Sequence, residues 1–255
     1  MCYDLSCSVS IESITDYLPN ILIDPQLIFR FESRAHIQGH AYLPHPVVVF
    51  ENNNYHLRLF QWGLIANYMD TPEKVLQYRR LMLNAKSEKV LDKKSAWYRI
   101  RKQRCLVPVT GIYEHREIKG IKNKIPYHVK IKNEKLIFLP GFFNFSPIAD
   151  PETGEMPGTY TIITRAANSV MMQIHNGGDN SGRMPLFLPF ELAQKWLVPD
   201  LTDEEIQDIL NYEMPSEQLE YHTVFSIRGK TQRPDGKEKN EPFEWQGVPD
   251  LVLQD

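Results

Sequence analysis

The chain has 255 residues with 42% hydrophobic and 24% charged side chains and a net charge of −3, the profile of an ordinary globular protein with one large core or two small ones. No apolar run is long enough to cross a bilayer and the N-terminus lacks a basic, apolar leader, so membrane-spanning and secreted classes are not expected. Three cysteines without a CxxC pair, and eight scattered histidines, argue against a disulfide framework and a zinc site.

The first informative residue is Cys2. Loss of Met1 would leave it as the N-terminus, with an α-amine of pKa about 7.7–8.0 beside a thiol near about 8.5. That pair condenses with an aldehyde to an imine, and the thiolate then closes a five-membered thiazolidine, which no internal cysteine can do. A short helix is predicted over Ser10–Leu18. Val47–Phe50 and Tyr55–Phe60 read as strands joined by an Asn52-Asn53-Asn54 turn. Ser87 and Ser95 are positioned to cap short helices, the second running to Arg104. Cys105–Val109 reads as a strand, with Pro108 placing it at an edge or bulge. Tyr127–Ile131 and Leu136–Leu139 read as a second hairpin around residues 132–135. Tyr160–Thr164 is strand-like, and Asn168 caps a helix through Ile174. Phe190–Leu197 reads as helix, and Thr202 with Glu205 forms a capping box for a helix to Leu210. Tyr221–Ile227 is the last strand, followed by an irregular tail. The interleaving predicts an α+β fold with a mainly antiparallel, curved or barrel-like sheet surrounded by short helices. It predicts one domain over residues 1–230, with residues 231–255 packed on it or trailing from it.

The charge is unevenly spread. Arg79–Arg104 holds ten basic residues against Glu88 and Asp92, whereas Asp200–Glu220 holds eight acids and no Lys or Arg. Such polarity fits a phosphate-binding face and equally fits a pair of solvated helices.

Four segments carry a resemblance when taken together: Met1-Cys2, Leu83-Asn84-Ala85-Lys86-Ser87-Glu88, Arg104-Cys105-Leu106-Val107-Pro108 through Gly111-Ile112-Tyr113-Glu114, and Thr164-Arg165-Ala166-Ala167-Asn168 followed by Ile174-His175 and Arg183-Met184-Pro185. With Trp62-Gly63-Leu64-Ile65 they resemble, in order, the SRAP family (SOS-response-associated peptidase domain). The resemblance implies a sensor or shield of abasic sites in single-stranded DNA. Its N-terminal cysteine, exposed by autocatalytic removal of Met1, forms a thiazolidine DNA–protein crosslink with the ring-opened sugar. An autopeptidase and crosslinking activity is implied, with lyase or crosslink-reversal activity as a further expectation.

On matched positions, Cys2 supplies both nucleophiles. Asn84 holds the Cys2 amine or the sugar. Glu114 moves protons during imine formation and loss of water. His175 acts as acid and base on the sugar oxygen. Lys86, Arg183 and Arg165 are expected phosphate ligands, and Trp62 a residue that stacks on or wedges beside bases. No cofactor or metal is implied. The partner is single-stranded DNA with an abasic site, the protein a monomer in the cytoplasm, associated with the nucleoid when DNA is bound. The chain departs from the family at Tyr3 and Asp4, where many members have Gly-Arg, at Lys86 for Arg, at His115 for Trp and at Ala66 for Pro. Residues 177–182 lengthen the segment between His175 and Arg183. Two alternatives stay open from residues alone: an N-terminal-nucleophile cysteine hydrolase, and a noncovalent single-stranded-DNA-binding module.

Overall fold

The computed structural model describes residues 2–229 and 232–252. Met1, and the tail at residues 231 and 253–255, lie outside the described residues. In chain order the elements are β1 (Asp4–Cys7), α1 (Ile11–Tyr17), β2 (Leu22–Ile23), α2 (Pro25–Arg30), β3 (Arg34–Gln38), β4 (Pro44–Glu51), β5 (Asn54–Trp62), α3 (Pro72–Tyr78), β6 (Asn84–Lys86), α4 (Ala96–Ile100), β7 (Arg104–Val109), β8 (Gly111–Arg116), β9 (Ile125–Ile131), β10 (Ile137–Phe145), β11 (Gly158–Ala166), α5 (Ser169–Ile174), β12 (Arg183–Pro185), α6 (Phe190–Trp196), α7 (Asp203–Asn211) and β13 (Leu219–Thr223).

The fold is α+β, built on two sheets. One runs β13-β9-β8-β1-β3, and the other runs β12-β11-β10-β7-β4-β5-β2 with β6 added on β11. Most pairs are antiparallel; β2–β5, β6–β11 and β5–β11 are parallel. The β5–β11 pairing at Thr159↔Gln61 and Tyr160↔Trp62 joins the two ends of the run β11-β10-β7-β4-β5, so the second sheet closes on itself as a barrel. Closure removes the exposed strand edges that would otherwise template aggregation.

Alternating residues of the barrel strands enter two different cores. Val47, Val49, Cys105, Val107, Val109, Tyr160 and Ile162 join a core shared with Leu5, Ile37, Ile112 and Val129 of the other sheet. Val48, Leu106, Phe138, Phe142 and Ile163 face a second core beneath the helices, with Ile14, Trp196, Ile206 and Leu210. Side chains of a strand alternate between its faces, and here both faces are buried, which explains why these strands read as nearly continuous apolar runs. Cys2 belongs to the first core, two residues before β1 begins.

The β4–β5 hairpin forms in register from Pro44↔Gln61 to Glu51↔Asn54. Asn52 and Asn53 take positive φ of 50° and 61°, the left-handed geometry that suits a tight hairpin turn and that asparagine tolerates. Ser95, Asn168 and Thr202 cap α4, α5 and α7, the last with the reciprocal Glu205 bond of a capping box. Ser87 lies within a single 3₁₀ turn, Ser87–Lys89, and α4 ends at Ile100, before Arg104.

Two expectations need correction. The segments flanking residues 132–135 are not a hairpin: β9 pairs with β8 and β13, while β10 pairs with β7 and β11 in the other sheet. The turn carries the chain from one sheet to the next. Nor is the Pro108 strand at an edge, because β7 lies between β10 and β4. Pairing with β4 ends at Val48↔Leu106, and the Pro108 carbonyl, which points to that side, accepts from His45 Nε2 at 2.8 Å. The missing N–H therefore falls where the ladder has already stopped. The last strand is also shorter than expected, ending at Thr223. Residues 232–252 form no helix or strand. They lie against the body of the protein through Trp245 Nε1, which donates to the Val224 carbonyl at 2.8 Å, and through Thr223–Phe243 bonds.

Candidate active site

The N-terminal end of β1 meets β8 where the pair Asp4↔Tyr113 ends their ladder. Glu114 is the next residue on β8, so its carboxyl lies beside the start of the chain. From the opposite side, Asn84 at the head of β6 is fixed by its pairing with Ile162 of β11. Its Nδ2 donates to the Cys2 carbonyl at 2.8 Å, and its Oδ1 is buried without a partner among the described residues. A buried acceptor with nothing to accept is unfavourable, and this one belongs to the side chain that holds the Cys2 carbonyl.

His175 closes α5 as its C-cap. Its Nδ1 lies 2.7 Å from the Arg183 carbonyl. A carbonyl can only accept, so Nδ1 carries the hydrogen and Nε2 presents a lone pair. Nε2 lies 3.7 Å from Glu114 Oε2, too far for a hydrogen bond and close enough to share a bound hydroxyl. Glu114 Oε1 is buried and unpartnered. Burial pushes the Glu114 carboxyl up to about 8 and pulls His175 down to about 4. At neutral pH the pair is a protonated acid facing a neutral base, with no net charge on either.

The Cys2 side chain is 1% exposed. Its thiol is 3.5 Å from the Asp4 carbonyl, and burial, reinforced by the Glu114 carboxyl, holds it well above the usual thiol range. In front of this group opens a cleft of about 420 Å³ lined by Tyr3, Asp4, Glu114, His115, Lys124, His175, residues 177–180 and Arg228. A larger groove of about 670 Å³ between Ser8 and Ser33 includes none of the candidate residues. Among the described residues no group of three or more His, Cys, Asp or Glu side chains is placed to hold a metal ion.

The expected DNA ligands are distributed differently. Lys86 is exposed at the end of β6. Arg183 grips Glu88 through Nη1 at 2.5 Å and Nη2 at 3.0 Å, and the Thr164 carbonyl at 2.7 Å. Its charge is matched, and its backbone carbonyl orients His175. Arg165 is a tether: it donates to the Asn211 and Tyr212 carbonyls and to Glu213, binding β11 to the end of α7. Trp62 is 0% exposed, donates from Nε1 to the Leu83 carbonyl at 2.9 Å and stacks on Tyr160. A core tryptophan cannot offer a face to a base, so the stacking expectation fails for this residue.

Sequence reasoning missed Arg228, which lies 224 residues from its partner Asp4. The signal was indirect: an acid next to the nucleophile needs a cation from elsewhere. The basic segment is likewise no single free stripe. Arg79 is bound to Gly63 and Gln61, Arg101 pairs with Asp203 at 2.8 Å, and buried Arg104 donates to the Trp196, Val198 and Pro199 carbonyls.

The chain is similar to known proteins along most of its length. The profile of "SOS response associated peptidase (SRAP)" matches residues 1–229. The abasic site processing protein YoqW of Bacillus subtilis is 29% identical over 180 residues, covering 71% of this chain and 74% of that protein. The abasic site processing protein HMCES of Xenopus tropicalis is 29% identical over 193 residues, covering 67% of this chain and 53% of that protein. A crystallised protein from Bacteroides thetaiotaomicron superposes with a TM-score of 0.77 at 28% identity, covering 94% of this chain and 97% of that one.

Proposed function

Because the chain belongs to the SOS response associated peptidase (SRAP) family, we propose that it processes abasic sites in single-stranded DNA by covalent capture on Cys2 after loss of Met1. The observation that carries this reading is that protonated Glu114 and neutral His175 line one cleft 3.7 Å apart, while Asn84 holds the carbonyl of the adjoining buried Cys2, whose thiol feels the Glu114 carboxyl.

The steps follow from the protonation states. His175 Nε2 takes the proton of the sugar's anomeric hydroxyl as the bond from the anomeric carbon to the ring oxygen breaks, and passes it to that ring oxygen, which becomes the free hydroxyl of the open aldehyde. The free Cys2 amine, steadied by Asn84 Oδ1, adds to the aldehyde carbon. Glu114 delivers its proton to the resulting hydroxyl, which leaves as water, and the carboxylate then takes back a proton from the iminium nitrogen to yield the imine. The Cys2 sulfur then adds to the imine carbon and its proton passes to nitrogen. Aldehyde plus aminothiol becomes thiazolidine plus water. An ammonium freed by loss of Met1 would lower the thiol toward working range, since an adjacent positive charge favours its ionised form. The Glu114 carboxyl would assist cleavage of the Met1–Cys2 bond.

The test is direct. Purified protein is mixed with an oligonucleotide carrying one abasic site and examined by denaturing gel and intact mass spectrometry. The expected product is a one-to-one adduct lighter by one water than the sum of its parts and lacking Met1. Cys2→Ala should abolish it, and Cys2→Ser should leave no stable adduct. Equal crosslinking by wild type and Cys2→Ala would sink the mechanism. An acyl-enzyme burst with amide substrates would favour an N-terminal-nucleophile hydrolase instead.

A further inference from the structure

Asp4 occupies an unusual position for an acid. It lies two residues after the candidate nucleophile, is 2% exposed, and its carboxylate is held by His36 Nε2 at 2.7 Å and by Arg228 through Nε at 3.1 Å and through Nη2. Burial alone would disfavour the ionised form, but these hydrogen bonds outweigh it and keep the carboxyl below its usual range. Asp4 is thus a fixed anionic anchor.

What it anchors differs in character. The Arg228 side chain is 47% exposed while that of Asp4 is 3% exposed. Two of its nitrogens face Asp4, and Nη1 has no partner among the described residues. Arg228 lines the same cleft as Glu114 and His175, and its charge reaches both Glu114 and Cys2. Lys124, the other Lys or Arg lining the cleft, lies 2.6 Å from Glu117, and Arg183, whose carbonyl holds His175, is paired with Glu88. A guanidinium gripped along one edge by a carboxylate keeps its remaining N–H groups in a fixed plane, the arrangement that suits a phosphate oxygen.

We propose that Arg228, braced by Asp4, is the residue that grips a backbone phosphate flanking the reacting sugar. The proposal rests on the abasic-site reading above and adds to it the contact that would seat the strand. It also assigns a purpose to the acid at position 4: rather than repelling DNA, Asp4 holds a cation delivered from the far end of the chain.

The experiment uses full-length protein and a single-stranded oligonucleotide with one abasic site, in which either the 5′ or the 3′ flanking phosphate is replaced by an uncharged methylphosphonate. Adduct formation and noncovalent binding are both followed against DNA and salt concentration. Arg228→Gln should raise the half-saturating DNA concentration by about tenfold to a hundredfold and reduce the salt slope by about 0.7, the value for one phosphate contact on a single strand. Arg228→Lys should fall between the two. One of the two methylphosphonates should weaken wild type by a similar factor and leave Arg228→Gln unchanged further. The inference is overturned if neither methylphosphonate affects wild type, a result that needs no variant to fold, or if Arg228→Gln keeps the wild-type half-saturation and salt slope. Binding without an adduct would refute the covalent reading alone, with the phosphate contact still read from the binding curves. No binding by wild type would refute both.

Discussion

Glu114 and His175 show how burial turns two ordinary side chains into an acid and a base that coexist at neutral pH. Each would exchange its proton freely in water. In the cleft the carboxyl titrates at about 8 and the imidazole at about 4, because each resists ionising away from solvent. Capture needs the amine free and Glu114 protonated, so the rate should rise toward pH 7–8 and fall above it. Glu114→Gln should slow capture by about 10²–10⁴-fold and lose the alkaline limb, as a rate profile from pH 5.5 to 9.5 would show. Stability carries the same signature. The unfolded carboxyl ionises near 4.5, so between there and about 8 the folded state holds a proton that the unfolded state has lost, and this group makes stability fall as pH rises. His175 acts in the opposite sense: unfolded it binds a proton below about 6.5, folded only below about 4, so its contribution rises with pH across that window. Of the two, only Glu114 acts from about pH 6.5 to 8. Thermal melts of Glu114→Gln should therefore gain on wild type across that interval; identical pH dependence would contradict the buried, protonated carboxyl.

At the scale of elements, the short helix α5 and the loop after it set the position of the imidazole. Asn168 Oδ1 accepts from the Met171 N–H at 3.0 Å, and its Nδ2 donates to the Met214 carbonyl at 2.9 Å. One side chain thus caps the helix and pins it to the segment leading into β13. Removing both bonds by Asn168→Ala should cost about 2 kcal/mol, a cap plus a buried hydrogen bond, and should lower capture by misplacing His175. Denaturant melts together with single-turnover rates would check both; an unchanged melting midpoint would show the cap to be dispensable. The loop is closed on itself by the Gly182 N–H to the His175 carbonyl at 2.8 Å. The Asn168 cap and the helix through Ile174 were legible because capping is local chemistry. The fate of the Tyr127–Ile131 strand was not, because a turn looks the same whether its strands pair with each other or part to different sheets.

Over the whole molecule, barrel closure leaves little room along its seams. A Cβ on Gly141 would lie 2.1 Å from the Thr161 carbonyl oxygen, which is backbone and cannot swing aside. Gly141 pairs with both Ile162 and Cys105, so it must keep two neighbours at close range. Gly141→Ala should destabilise by about 3 kcal/mol or more, at the severe end for overpacking; a loss under about 1 kcal/mol would mean that the β10–β11 seam yields. Tertiary folding also redistributes the charge. The basic and acidic segments, which look like opposite poles in sequence, touch at Arg101–Asp203. Arg228, just after the last strand, reaches back to Asp4 near the N-terminus and brings its guanidinium to the cleft.

The primary structure by itself determined the α+β class, the caps at Ser95, Asn168 and Thr202 and the Asn-rich hairpin. It also determined the order of segments that resembles the family, because all of these depend on residues near one another in the chain or on motifs compared one at a time. Tertiary structure alone decided that Trp62 is core, that Arg165 is a tether and that Arg183 is neutralised, and it alone brought Arg228 to Asp4. Burial and charge pairing are properties of what surrounds a side chain in three dimensions, and for these residues the surroundings come from strands and loops tens to hundreds of positions away.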